Sequence, residues 1–278
     1  MTLADFKNKM KSTLSSIYEI DEMNSIFFLI SEEFLQIPRS KILLADEIEL
    51  DSNKEILFLD ALNRLKTHEP IQYVLGKTTF MDMEFKVNSN VLIPRPETEE
   101  LVRLMLKEDL DGKEILDIGT GSGCIAISLA KNLPNAKVTA LDISEDALKV
   151  AKENAKLNNV EVNFINADIF DYQTDKKYDT IVSNPPYVTE SEKSLMKSNV
   201  FNFEPELSLF VTDKDPLKYY ESIFEFGHKF VKSDGSLFFE INENYYAELK
   251  SICKSNGFVN TVFSLDFNEK KRYLFIYK

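Results

Sequence analysis

A short apolar run that leads into three closely spaced glycines most constrains how this chain can fold. The run Glu114-Ile115-Leu116-Asp117-Ile118 is typical of a buried strand, and an apolar helical pattern extends from Cys124 to Lys131. The turn between them contains Gly119, Thr120, Gly121, Ser122 and Gly123. Glycines let the backbone approach a ligand closely, and a helix start offers unpaired N–H groups. The segment therefore predicts a strand, a ligand-binding turn and a helix.

The glycine spacing argues against a dinucleotide site, because G-x-G-x-G lacks the third position of the G-x-G-x-x-G fingerprint. Ligand-type residues also follow the next two predicted strands. Asp142 follows the strand Lys137 to Leu141, where a carboxylate suits a ribose diol. Asp168 and Ile169 follow the strand Val162 to Asn166 and suit an adenine amine and ring face. Three successive strand ends thus carry residues of a nucleoside-binding site.

Asp142 lies just before the helix predicted at Glu145 to Leu157, so it could interact with the start of that helix and not with a ligand. A carboxylate just before a helix often interacts only with the partial positive charge at the helix N-terminus. Ser144 is the better N-cap here, because it directly precedes the helical pattern. We therefore expect Asp142 to be free for a ligand.

Strand and helix patterns alternate from Glu97 onward, which is typical of a mostly parallel sheet with helices on both faces. The N-terminal region, from Ala4 to about Thr67, has helical periodicity instead. Short alternating runs between Gln72 and Ile93 indicate a β-hairpin. We predict an α/β protein with a helical substrate-recognition domain over residues 1–70, a hairpin linker over 71–93 and a catalytic domain over 94–278. The predicted late elements are a helix near Leu217 to Val231, a strand Ser236 to Ile241, a helix Tyr245 to Ser255, and strands near Val259 to Leu265 and Tyr273 to Tyr277.

A tetrapeptide at the end of the apolar run Tyr178 to Ser183 is suited to hold a planar NH2 group. It contains Asn184, Pro185, Pro186 and Tyr187. The Asn oxygen can accept one N–H and a backbone carbonyl the other, while the prolines fix the local backbone and a Tyr ring can stack on the held plane. Alone, the tetrapeptide is more typical of a turn that ends a strand. The glycine turn upstream favours the functional interpretation.

Together these motifs resemble the class I S-adenosylmethionine-dependent methyltransferases that modify planar nitrogens. The stretch Leu92-Ile93-Pro94-Arg95-Pro96-Glu97-Thr98-Glu99 narrows the resemblance to the HemK/PrmC family of release factor glutamine N5-methyltransferases. Pro70 to Gly76, Asp142-Ile143-Ser144 and Phe203-Glu204-Pro205 also fit that family. The resemblance extends from about Pro70 to the C-terminus. The chain departs from it at Phe203, where Tyr is common, and at Val211 to Asp215, where the family is rich in glycine.

The resemblance implies a Rossmann-like class I methyltransferase fold that ends in an antiparallel hairpin. It implies S-adenosylmethionine as cofactor and the Gly-Gly-Gln glutamine of class I peptide chain release factors as substrate. Gly119 to Gly123, Asp142, Asp168, Ile169 and Asn184 would then bind the cofactor. Asn184 to Tyr187 would form the catalytic clamp, and Leu92 would line the glutamine pocket. Arg95 and Glu97 either contact substrate or pin the linker to the catalytic domain.

Composition is consistent with a cytoplasmic, monomeric enzyme. The 33 basic and 46 acidic residues give a net charge of −13, which argues against a broad phosphate-binding surface. No apolar run approaches the ~20 residues that span a bilayer, so we expect no membrane segment. With two cysteines and two histidines, we expect no metal site.

Two other function classes stay open at this point. An amino-methyltransferase acting on nucleic-acid bases would need the same clamp, together with a basic groove and a flipped base. A non-catalytic cofactor-binding scaffold would keep the glycine turn without turnover. The clamp beside the turn argues against the scaffold.

Overall fold

The fold is that of a computed structural model, which describes residues 1–44, 48–195 and 202–278. The chain divides into a unit formed by Met1–Gly76 and a larger unit that begins at Lys77 and includes Glu204–Lys278. Residues 45–47 belong to the predicted N-terminal domain and residues 196–201 to the predicted catalytic domain. Both segments lie outside the described residues. None of the described helices is long and apolar enough to span a membrane.

The N-terminal unit is helical, as the sequence predicts. Its helices are α1 (Leu3–Leu14), α2 (Ile20–Leu35), α3 (Arg39–Leu44), α4 (Ser52–Lys66) and α5 (Ile71–Leu75). Thr2 and Asp5 form a capping box at the start of α1, and the Asp51 side chain caps α4 through the Lys54 N–H. The apolar faces meet in a core where the rings of Phe6 and Phe58 lie edge to face, with centroids 4.7 Å apart.

Helix α5 corrects the prediction that the hairpin linker begins at residue 71. Pro70 starts this five-residue helix, and Gly76, with φ of 71°, ends it. The last carbonyls of so short a helix lack donors from a following turn of the same helix. Arg64 of α4 donates instead to the carbonyls of Tyr73 and Val74. Hydrogen bonds from a residue of another helix therefore stabilise the helical conformation of this segment, and the local sequence pattern could not show them.

The hairpin itself is shorter than predicted and consists of β1 (Lys77–Phe80) and β2 (Met83–Lys86), paired antiparallel. Its turn lies at Met81 and Asp82, which both have positive φ, at 50° and 59°. Two such residues match the right-handed twist of the flanking strands. Without a glycine the turn has no sequence signal, which explains why the sequence points to Gly76 and Asn88 to Asn90 instead.

A seven-stranded sheet forms the centre of the larger unit, in the order β10-β11-β9-β6-β3-β4-β5. The neighbouring pairs from β9 to β5 are parallel, while β11 is antiparallel to both β9 and β10. This confirms the predicted mostly parallel α/β sheet and its final antiparallel hairpin. The strands are β3 (Glu114–Ile118), β4 (Lys137–Asp142), β5 (Asn163–Asn166), β6 (Tyr178–Ser183), β9 (Val231–Glu240), β10 (Asn260–Leu265) and β11 (Lys271–Tyr277).

Helices cover both faces of this sheet. Adjacent residues of β3, Ile115 and Leu116, belong to two different apolar clusters, as expected when successive side chains point to opposite faces. The helices are α6 (Pro96–Met105), α7 (Cys124–Asn132), α8 (Glu145–Leu157), α9 (Glu206–Leu209), α10 (Lys218–Phe230) and α11 (Tyr246–Ser255). A short parallel pair joins β7 (Val188–Thr189) to β8 (Phe210–Val211), and 3-10 turns occur at Glu190–Leu195 and Glu243–Tyr245.

Asn154 on α8 ties the hairpin to the glycine turn. Its Oδ1 accepts from the Lys86 N–H at 2.7 Å, and its Nδ2 donates to the carbonyls of Lys86 at 3.0 Å and Ser122 at 2.9 Å. The side chain is fully buried, and its bond to the Ser122 carbonyl is buried with it, while the two bonds to the Lys86 backbone are partly buried. We infer that one carboxamide fixes two segments that are far apart in sequence.

We predict that Asn154→Ala lowers the free energy of unfolding by about 3 kcal/mol, since each buried group left unpaired costs roughly 1–3 kcal/mol. Urea unfolding monitored by circular dichroism measures this change. Glu153→Ala is the matched control, because Glu153 pairs with the Lys86 ammonium from an exposed position on the same helix. Such a pair contributes about 0–1 kcal/mol. Equal losses in the two variants would contradict the assignment.

Candidate active site

The ends of three parallel strands meet at one edge of the sheet. Ile118 of β3 lies opposite Leu141 of β4 on one side and Ser183 of β6 on the other. The chain runs from β3 outward to β4 and β5, and then returns to the opposite side of β3 as β6. Sheets of this kind bind ligands at such a reversal of strand order, beyond the carboxyl ends of the strands.

A cavity of about 290 Å³ lies at this reversal. The structure brings most of the predicted site residues together there, although they come from five separate segments. Those that line the cavity are Leu92, Gly119, Thr120, Gly121, Ser122, Asp142, Asp168, Ile169, Asn184, Pro185 and Pro186. Gly123 and Tyr187 are not among the lining residues.

The three glycines of the turn all have positive φ, but they serve different purposes. A side chain at Gly123 would place its Cβ 2.8 Å from Ile127 Cδ1 and 3.1 Å from Ala151 Cβ. Gly123 is therefore needed for the close approach of α7 and α8, and not for a ligand. Gly119 and Gly121 have open space where a Cβ would be, so their requirement is conformational.

Asp142 lines the cavity, but it is not free of protein contacts as the sequence led us to expect. Its Oδ2 accepts from the Gly121 N–H at 2.8 Å, and its Oδ1 accepts from the Ser144 N–H at 2.9 Å. Ser144 caps α8 through the Ala147 N–H, which confirms the predicted cap. Burial raises the pKa of Asp142, while the backbone donors oppose this effect. Each carboxylate oxygen keeps a second lone pair for a ligand hydroxyl.

Asp117 lies behind the glycine turn and is fully buried. Its Oδ2 accepts from the Thr120 hydroxyl at 2.6 Å, so it holds a residue that lines the cavity. Burial raises the pKa of Asp117 to about 7, against the opposing effect of the Thr120 hydrogen bond. Neither this hydrogen bond nor the raised pKa could be predicted from the sequence, because Asp117 appears there only as one position of a buried strand.

Asp168 and Ile169 line the cavity beyond the end of β5. The Asp168 Oδ1 accepts from the Phe170 N–H at 3.0 Å. The partly exposed Phe170 ring lies 5.3 Å from the ring of Tyr219 on α10, and both residues line the cavity. This aromatic pair was missed at the sequence level. The only signal was an aromatic residue directly after Ile169, and its partner is about fifty residues away.

Asn184 is held from behind by a residue of the octapeptide Leu92 to Glu99. Its Nδ2 donates to Thr98 Oγ1 at 3.0 Å, and the Thr98 hydroxyl donates to Glu240 Oε2 at 2.6 Å. Tyr187 donates to the other oxygen, Glu240 Oε1, at 2.9 Å. The Tyr187 hydroxyl is thus bonded to a buried carboxylate, and Tyr187 is not among the residues that line the cavity.

Arg95 and Glu204 join the two segments that carry the resemblance on either side of the clamp. Arg95 Nη2 lies 2.5 Å from Glu204 Oε1, and the Ile93 N–H donates to Glu204 Oε2 at 3.4 Å. The Glu204 side chain is 1% exposed. Arg95 also lines the cavity, so it both pins this segment and faces the ligand space. The carbonyl of Glu97 accepts from the Tyr273 hydroxyl at 2.9 Å, which anchors the start of α6 to β11.

Comparison with known proteins agrees with this geometry. Residues 8–76 match the family model of the PrmC N-terminal domain, and residues 96–203 match that of the Methyltransferase small domain. A release factor glutamine methyltransferase of Flavobacterium psychrophilum is 42% identical over 99% of this chain and 98% of its own length. The chain belongs to the release factor glutamine methyltransferase family. The family member from Bacteroides thetaiotaomicron is 43% identical over 95% of this chain and 96% of its own length.

Solved structures with lower identity share the fold. A methyltransferase from Pyrococcus furiosus is 18% identical, with a TM-score of 0.54 over 82% of this chain and 99% of its own. A 16S rRNA N2 G1207 methyltransferase from T. thermophilus, in complex with AdoMet and guanosine, is 15% identical. Its TM-score is 0.51, over 73% of this chain and 49% of its own. The class I methyltransferase fold implied by the sequence is confirmed.

We predict that Asp117→Asn removes part of the pH dependence of stability. The unfolded chain releases the Asp117 proton near pH ~4, whereas the folded protein keeps it up to about 7. Between these values the folded state binds more protons, so the free energy of unfolding falls as pH rises, by at most about 4 kcal/mol. The variant should lack this fall, because Asn cannot ionise.

Urea unfolding of both proteins at pH 5.5 and pH 8 measures the difference. We expect the variant to gain stability relative to the parent at the higher pH, since its amide oxygen can still accept from Thr120. A parallel loss of stability with pH in the two proteins would show that Asp117 does not titrate in this window.

Proposed function

We propose that this protein transfers the methyl group of S-adenosylmethionine to the side-chain amide nitrogen of the Gly-Gly-Gln glutamine in class I peptide chain release factors. The observation that carries the proposal is that the glycine turn and the Asn184-Pro185 clamp line one cavity. Membership of the release factor glutamine methyltransferase family supports the substrate class. The net charge of −13 supports a protein substrate over a direct nucleic-acid partner. The proposal takes the enzyme to be a cytoplasmic monomer.

The residues at the nucleoside side of the cavity suit this cofactor, which when bound supplies an electrophilic methyl group on a sulfonium sulfur. The glycine turn exposes its backbone at the start of α7, where N–H groups have no partner within the helix. Asp142 offers carboxylate lone pairs to vicinal hydroxyls. Ile169 and the aromatic pair Phe170 and Tyr219 offer apolar surface to a planar base.

At the other side of the cavity, Asn184 and Pro185 bind and orient the glutamine amide. An amide nitrogen is a weak nucleophile because its lone pair is delocalised into the carbonyl. The Asn184 Oδ1 accepts one of its protons and the Pro185 carbonyl accepts the other, which directs the nitrogen toward the methyl donor. Holding two reactants in an attacking geometry can lower the activation barrier by about 7–11 kcal/mol. No base is needed before attack, since the nitrogen becomes acidic only as its bond to the methyl group forms and the C–S bond breaks. The neutral thioether would then leave, and the proton of the methylated nitrogen would pass to water.

The N-terminal helical unit is proposed to contact the release factor. Apolar side chains of this unit remain open to solvent at Ile20, Leu43 and Ile56, which are 65%, 64% and 66% exposed. Exposed apolar side chains can contribute to binding another protein where they form one contiguous patch. The proposal assigns them to recognition of the factor outside its Gly-Gly-Gln motif.

We predict that Asn184→Ala and Asp142→Ala separate catalysis from cofactor binding. Asn184→Ala should lower kcat by about 100- to 1000-fold, as loss of an oriented polar group at a reacting centre does. It should leave the Kd for S-adenosylmethionine within about two-fold, because the turn and Asp142 are untouched. Asp142→Ala should weaken the cofactor by roughly ten-fold or more, the effect of losing hydrogen bonds to a charged group. Calorimetry beside a turnover assay measures both, and equal losses of binding and turnover in both variants would refute the division.

The substrate assignment is tested with methyl-labelled S-adenosylmethionine. The purified protein is incubated with a class I release factor, with the same factor after the Gly-Gly-Gln glutamine is changed to alanine, and with total RNA and DNA. Label on the unchanged factor alone supports the proposal. Label on nucleic acid would transfer the assignment to a base amino-methyltransferase. Absence of label from every acceptor would favour a cofactor-binding scaffold.

A further inference from the structure

A buried carboxylate lies behind the clamp and does not reach the cavity. Glu240, the last residue of β9, is 2% exposed and is absent from the cavity lining. Its two oxygens accept from different segments: Oε2 from the Thr98 hydroxyl of α6, and Oε1 from the Tyr187 hydroxyl. Placing a carboxylate here is costly, since an isolated buried charge is strongly disfavoured. A group of this kind calls for a reason beyond packing.

When Glu240 is ionised, the direction of each hydrogen bond in this chain is fixed by chemistry. An ionised carboxylate can only accept, so the single hydroxyl proton of Thr98 is committed to Glu240 Oε2 at 2.6 Å. Thr98 Oγ1 can then only accept from its remaining neighbour, Asn184. The only donor on the Asn184 side chain is its NH2 group. Nδ2 must therefore face Thr98, and Oδ1 must face away from it.

We propose that Glu240 sets the orientation of the Asn184 carboxamide through Thr98, so that Oδ1 is presented to the amide N–H of the substrate. Glu240 and Thr98 are thus positioning residues for the reaction: Glu240 does not reach the cavity, and Thr98, which lines it, acts through Asn184. The inference rests on the proposed function for its consequence in turnover. Its structural content, the orientation of one carboxamide, is independent of which substrate is used.

The carboxylate is held firmly enough to act in this way. The Tyr220 hydroxyl of α10 donates to the Glu240 carbonyl at 3.0 Å, and Asn242 Nδ2 donates to the Tyr187 carbonyl at 3.3 Å. Burial raises the pKa of Glu240, whereas donation from Thr98 and Tyr187 and the positive charge of Arg272 favour its ionised form. The ionised form is the one that fixes the polarity of the chain.

The orientation matters because the reverse orientation would remove the clamp. A flipped carboxamide would present NH2 to a substrate NH2, and two donors cannot bond. Free rotation of Asn184 would populate this non-productive state. We infer that the octapeptide residue Thr98 and the distant Glu240 together exclude it.

The decisive substitution is Thr98→Val, which replaces the hydroxyl by a methyl group of similar size, with Thr98→Ser as the matched control that keeps it. Protein labelled with 15N-asparagine reports the Asn184 side-chain NH2, whose signals are identified by their loss in Asn184→Asp. We expect these signals to shift and exchange faster with water in Thr98→Val but not in Thr98→Ser. Should Thr98→Val fail to fold, Thr98→Ala provides the same readout with a smaller side chain.

Kinetics provide the second readout. We expect Thr98→Val to lower kcat by roughly 10- to 100-fold, since a small misplacement of reacting groups can cost on the order of 100-fold. The cofactor Kd should stay within about two-fold of the parent, and Thr98→Ser should keep most of the turnover. Unchanged Asn184 signals in Thr98→Val, or equal kcat values for the Val and Ser variants, would overturn the inference. If the signals shift but the parent itself methylates no release factor, the proposed function fails and the orienting role stands.

Discussion

The parallel register of β3 with its two neighbours is the constraint on which the site depends. Because β4 and β6 lie on opposite sides of β3 and end level with it, the segments after all three strands emerge at one edge. The turn after β3, Asp142 after β4 and Asn184 after β6 then share a single cavity without further adjustment. The cofactor side and the substrate side of the proposed reaction are thereby neighbours, because β3 and β6 are hydrogen-bonded along their length.

Three of the buried carboxylates around this edge, Asp117, Asp142 and Glu240, each hold a different part of it. Asp117 holds Thr120 of the glycine turn, Asp142 holds the backbone of the turn and the start of α8, and Glu240 holds Thr98 and Tyr187. Burial raises the pKa of each of them. Such groups cost stability, and a core built for stability alone would replace them with apolar side chains. Their clustering at the cavity indicates that rigidity of the site outweighs this cost.

The sequence predicted the fold well because the signals for it are local. Glu114 to Ile118, the glycine turn and the alternation that follows give strand type and order directly, and the cap at Ser144 follows from its position before a helical pattern. Errors arose where a distant contact decides the outcome. Arg64 completes α5, a positive-φ pair without glycine makes the turn at Met81, and a buried carboxylate binds the hydroxyl of Tyr187, which does not line the cavity. The residues that line the cavity were thus easier to predict than those that hold them.

This difference has a physical origin. A residue that contacts a cofactor must carry the complementary chemistry at the end of a strand, and both properties are visible in a single segment. A residue that orients such a group needs only to be the correct hydrogen-bond partner in space, and its sequence neighbours need not signal it. In the sequence, Glu240 is one position within the predicted strand Ser236 to Ile241, and Thr98 is one position near the start of a predicted helix. Only in the folded structure do the two residues meet behind Asn184, where Asn184 donates to Thr98 and Thr98 donates to Glu240. Since a hydrogen-bond chain that ends on a carboxylate can run only one way, its last acceptor determines which atom of Asn184 is free to bind substrate.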